Sequence, residues 1–122
     1  MMRTISIALA ISLLAAAAVA HDTKHGSLHL VHPHAAPVEE GGTCELTLTI
    51  SNSGGADQLL AIETEIARVE LAPTKIPAKA KNLVVHAKLL GARRTYNDSE
   101  MVPATFVFAK AGRIAEEIMI DR

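Results

Sequence analysis

From Cys44 to Ser51 the chain alternates without a break: Cys44, Leu46, Leu48 and Ile50 on one side, Glu45, Thr47, Thr49 and Ser51 on the other. A period of two places the apolar set on one face of an extended strand and the polar set on the opposite face. A helix of this length would repeat its apolar positions every three or four residues, so this segment is a half-buried strand. Asn52-Ser53-Gly54-Gly55 closes it with turn chemistry. Weaker versions of the pattern predict strands over 27–32 (ended by Pro33), 58–64, 68–71, 83–90, 102–108 and 113–120, the last two joined by an Ala111-Gly112 turn. Residues 37–42, 73–81 and 91–100 are polar connections. Ile62, Ile66 and Val69 are loosely spaced for a helix over 61–71, but strands fit that stretch better. Short strands with a turn signal every ten or so residues predict an all-β sandwich or barrel.

With only Tyr96, Phe106 and Phe108 as aromatics, such a core must be built from Leu, Ile, Val and Ala. Cys44 is the only cysteine, so no internal disulfide can hold the domain. Its register with Leu46, Leu48 and Ile50 predicts a thiol packed in the core rather than a reactive one.

The first twenty residues carry an export signal. Arg3 supplies a positive start, Ile5 to Val19 is an almost unbroken apolar run, and Ala18-Val19-Ala20 has the small-x-small form of a cleavage site. The run is short against the roughly 20 apolar residues of a membrane span, and nothing later in the chain is apolar enough to cross. We therefore expect a signal peptide at 1–20, a flexible His-containing arm at 21–26 and one small domain at 27–122, located in the periplasm or secreted. Loss of Arg3 makes the formal charge of −1 one unit more negative. That balance gives no electrostatic reason for binding nucleic acid, or a membrane after cleavage.

Histidine is the conspicuous residue. Five of the six fall within fourteen residues, His21, His25, His29, His32 and His34, and the sixth is His86. Neutral imidazole is the commonest biological metal ligand and suits copper, zinc and nickel. Cleavage before His21 would add an α-amine beside its imidazole, and the two nitrogens can chelate one ion. On a regular strand His32 and His34 point to one face and His29 to the other, with Pro33 disturbing that geometry. Catalytic constellations are missing: there is no Gly-x-Ser-x-Gly elbow, no His-Glu-x-x-His helix and no phosphate-cradling glycine loop. Glu39-Glu40 and Glu116-Glu117 are adjacent pairs whose members face opposite sides of a strand. A non-enzyme is expected.

From Gly26 onward the chain resembles the periplasmic copper chaperones known as PCuAC. The similarity is carried by Ile50-Ser51-Asn52-Ser53-Gly54-Gly55-Ala56-Asp57-Gln58-Leu59-Leu60, by Val69-Glu70-Leu71, by His86 followed by Leu89-Leu90-Gly91, and by the closing hairpin from Val102 to Gly112. The resemblance implies a cupredoxin-like, Greek-key β-sandwich. It also implies Cu(I) bound by two His and two Met, for delivery to a periplasmic metalloprotein or to oxidase assembly. Three of those four ligands are replaced here. Ala72 stands at the first His, 73–81 contains no Met, and His86 matches the second His but Lys88 stands at the second Met. Met101 resembles a loop-end position and Met119 falls in the final strand, so by position neither replaces the lost thioethers. Thioethers select Cu(I), whereas imidazoles suit Cu(II) or Zn(II). The sequence thus predicts an exported protein that binds copper, or zinc as the alternative, through His86, His21, His25, His29, His32 and His34. The competing expectation is an interaction module that has lost its metal site.

Overall fold

The computed structural model describes residues 22–122; the expected signal peptide at 1–20 and His21 lie outside them. Nine strands and no helix make up the described residues: β1 (Asp22–His25), β2 (Leu28–Ala35), β3 (Cys44–Asn52), β4 (Asp57–Thr64), β5 (Arg68–Glu70), β6 (Thr74–Ile76), β7 (Leu83–Leu90), β8 (Met101–Phe108) and β9 (Gly112–Ile120). They run in the order β5-β7-β3-β2-β9-β8-β4-β6, with β1 on β2. Every pairing is antiparallel except β2 with β9, where the two halves of the curled sheet join. The all-β sandwich expected from the alternation is therefore the architecture. Its core is aliphatic, led by Leu30, Leu46, Leu48, Ile50, Leu59, Ile66 and Ile118, with Tyr96, Phe106 and Phe108 all buried among them.

Local chemistry fixes the turns. Asn52 is buried yet satisfied: its side-chain amide donates to the carbonyls of Gly55 and Pro77 at 2.8 and 3.2 Å, and its oxygen accepts from Gly54 N–H at 3.0 Å. Gly54 is required by close approach, since a Cβ there would lie 2.7 Å from Ser27 Oγ. At the far end, the Asp57 carboxylate accepts N–H bonds from Gln58, Lys110 and Ala111 at 2.7, 2.8 and 3.0 Å, tying the start of β4 to the β8–β9 turn. Burial would push this carboxyl up, but the three N–H donors and the Lys110 charge outweigh it and hold it below the usual aspartate range.

Three expectations need correction. Residues 22–25 are not a free arm, because they form β1 and pair with Leu28–Val31 around the turn at Gly26. Pro33 does not end β2. Between Val31 and His34 one extra residue is inserted against β3, and His32 takes a φ of 48°. This bulge frees the ladder from the N–H that proline lacks. It also shifts the parity of the strand, so His29 and His34 face the same way, opposite Ser51 and Thr47 of β3. Finally, the connection at 73–81 contains β6, which pairs with the start of β4.

Candidate metal centre

The parity shift in β2 and the register of its neighbours decide where the histidines stand. On the outer face, Thr47 of β3 is the strand partner of His34 on one side and of His86 on the other. The two imidazoles therefore lie in one row, separated by a single strand. His86 is exposed and its Nδ1 is 3.2 Å from Thr47 Oγ1 and 3.5 Å from Glu45 Oε1. The next row belongs to Lys88, the strand partner of both Glu45 and Glu70. Around His86 the donors are thus one imidazole and a charged trio.

His34 has a different setting. Its Nδ1 is 3.3 Å from Asp121 Oδ1. His32, thrust out by the bulge, and His34 line one cavity of about 410 Å³ together with Thr47, Met119 and Asp121. A carboxylate on one ring nitrogen orients an imidazole and leaves the other nitrogen for a metal, the usual outer arrangement at protein metal sites.

The remaining candidates go elsewhere. His29 lines a separate cavity of about 500 Å³ with Ser27, Ser51, Asn52 and Lys79. His25 turns inward, its Nε2 3.5 Å from Glu116 Oε2, and that carboxylate's side chain is only 1% exposed although it lies on the core face of β9. His25 covers a buried carboxyl group and cannot join a surface site without uncovering it. His21 lies outside the described residues. Among the described residues no three His, Cys, Asp or Glu side chains stand close enough to hold an ion by themselves. What the structure does bring together is His32 with His34, beside Asp121 and Met119.

Asp121 was missed by sequence reasoning, and Met119 was set aside there because of its place in the final strand. They sit two residues apart at the C-terminal end, and only the parallel β2–β9 contact, invisible to local periodicity, carries them to the histidines. Cys44 shares the inward face of β3, packs against the core, and burial pushes its thiol up.

No known family profile matches the chain, and no curated protein matches it. Solved structures do. The apo PCuAC domain from PmoF1 is similar at a TM-score of 0.76 and 24% identity, covering 83% of this chain and 98% of that one. The copper-bound PCuAC domain from PmoF2 is similar at 0.73 and 19% identity, over 83% and 97%. The apo PmoF2 domain follows at 0.69 and 20%, over 83% and 94%. These likenesses establish the fold: the chain is built as PCuAC domains are.

Proposed function

We propose that this chain, with the fold of PCuAC domains, is an exported metal-binding protein that takes up copper, or zinc, through imidazoles on its outer face and passes it to a periplasmic acceptor such as an oxidase assembly partner. The observation that carries the proposal is the cavity that His32 and His34 both line, with Asp121 beside His34. Two imidazoles with a carboxylate behind one of them form a borderline donor set suited to divalent ions. The copper held by the PmoF2 domain supports the same cargo for this fold. Cleavage before His21 would add an α-amine and a further imidazole at the residue preceding Asp22, and Asp22 pairs with Val31, next to His32. The molecule acts as a carrier rather than an enzyme, in the periplasm or outside the cell.

The loss of the family ligands at Ala72 and Lys88 favours a second reading, an interaction module without metal. Calorimetric titration of the mature protein with Cu(II) and Zn(II) separates the two. We expect saturable binding, weakened about tenfold or more by His34→Ala, since each decade is about 1.4 kcal/mol of lost ligation, and hardly changed by His86→Ala. Affinity should also fall on acidification, because protons compete for imidazole. Equal uptake by the intact protein and by a His32→Ala/His34→Ala variant would remove the cleft as the site.

A further inference from the structure

The row that contains His34 does not stop at β2. His34 is the strand partner of Met119 on β9, and Met119 is in turn the strand partner of Met101 on β8. Both methionines are half-buried on the outer face, between the buried positions Val102, Ile118 and Ile120. Beyond the export segment these are the only two methionines in the chain. An imidazole and both available thioethers therefore stand side by side on three consecutive strands.

We infer that His34, Met119 and Met101 form a soft-cation site, one that takes Cu(I) on the same outer face as the imidazole cleft. The geometry follows from the ladder. Neighbouring strands lie about 4.8 Å apart, so partners on the same face can direct their side chains at a common point above the middle strand. Methionine has three rotatable bonds and adapts its sulfur position readily. His34 is held through Nδ1 by Asp121, which leaves Nε2 as the ring nitrogen for an ion. Thioether sulfur with one imidazole is a donor set that selects Cu(I) over the divalent ions. Asp121 adds a negative charge beside the ion, opposed by Arg122, which lines the same cavity. These methionines do not occupy the positions beside His86 where the resemblance would place thioethers. They make a separate set, on strands at the other side of Thr47.

The inference extends the proposed function, because it shares His34 with the imidazole cleft, but the two fail separately. The probe is Ag(I), a redox-inert stand-in for Cu(I), with anaerobic Cu(I) competition as a second measure. Met→Leu is a volume-conserving change that leaves the fold intact. We expect Met101→Leu/Met119→Leu to weaken Ag(I) and Cu(I) binding by about a hundredfold, and Met101→Leu alone, outside the imidazole cleft, to leave Zn(II) affinity within about twofold. In protein labelled at the methionine methyls, the mature chain gives two resonances, and one equivalent of Ag(I) should shift both. Unchanged Ag(I) affinity in the double variant, or methyl resonances indifferent to Ag(I), would overturn the site. Ag(I) binding lost only on His86→Ala would overturn it in favour of the β7 edge. Methionine-dependent Ag(I) binding without any Zn(II) or Cu(II) uptake would keep this inference and remove the divalent reading.

Discussion

Two stretches of one outer face differ in a telling way. At the β7 edge stands His86, but its neighbours are Lys88 and the carboxylates of Glu45 and Glu70, a set without a soft donor. One strand beyond Thr47, the row across β2, β9 and β8 offers His34, Met119 and Met101, with Asp121 behind the imidazole. Both stretches rest on the same buried layer, so outward residues can be exchanged without disturbing the core below them. A sandwich of this kind does not bind its ligand set to one place. Any row of strand partners on the solvent side can hold donors, and here the donors have collected on the half of the face away from His86.

The largest effect that tests this comparison is one that should abolish both stretches together. β3 lies between them, pairing with β7 on one side and β2 on the other. Leu48 is 1% exposed on its inner face. Leu48→Asp would leave an unpaired carboxylate in the aliphatic core, at a cost on the order of 3–5 kcal/mol. Urea denaturation should show a midpoint so low that most of the chain is unfolded in buffer. A variant that stays folded with either region intact would mean that the two halves of the face do not depend on β3 in common.

A smaller effect sharpens the contrast from the other side. If the β7 edge lacks only donors, supplying them should make it bind. Ala72→His with Lys88→Met would supply an imidazole and a thioether to the His86 stretch and remove the lysine that is the strand partner of Glu45 and Glu70. We expect Cu(I) affinity to rise about tenfold, or about 1.4 kcal/mol, and the gain to vanish on His86→Ala while Met119→Leu leaves it in place. No gain would show that the backbone geometry of the edge does not suit a metal site.

The strands themselves were legible because burial imposes period two on them: 83–90 was delimited to the residue, and Cys44 to Ser51 falls one residue short of β3. β6 was not, since Thr74–Ile76 is three residues long and buries only Ile76, too little to show a period. Pro33 misled for a definite reason. Proline normally ends a ladder, and the bulge that rescues it depends on His32 adopting a left-handed φ that its identity does not announce. That one inserted residue also undid the expected faces of His29 and His34. The importance of histidine was evident from its density, but the grouping of His34 with Met119 and Met101 depends on β2 and β9 meeting in parallel. Residues 34, 101 and 119 are far apart in the chain, and no spacing rule links them.

Cys44 supplies the last and smallest test. It lies at the His86 end of β3, opposite Leu89 on β7, and a thiolate there would be a soft donor for that stretch. Two observations argue against that role. Its side chain shares the inward face of Leu46 and Leu48 and packs on the core, on the opposite side of the sheet from His86. Burial also pushes its pKa up, so at any given pH the thiolate fraction is smaller than for a free cysteine. Only the thiolate ligates metal or attacks an alkylating agent. Iodoacetamide should therefore modify Cys44 in the native protein more slowly than in the urea-unfolded chain at the same pH, and the native rate should climb only above the ordinary thiol range. Cys44→Ser should leave Ag(I) and Cu(I) affinity within about twofold, a difference under about 0.5 kcal/mol. Rapid labelling at neutral pH that bound Cu(I) blocks would instead place the thiol in a site at the β7 edge, and the contrast between the two stretches would close.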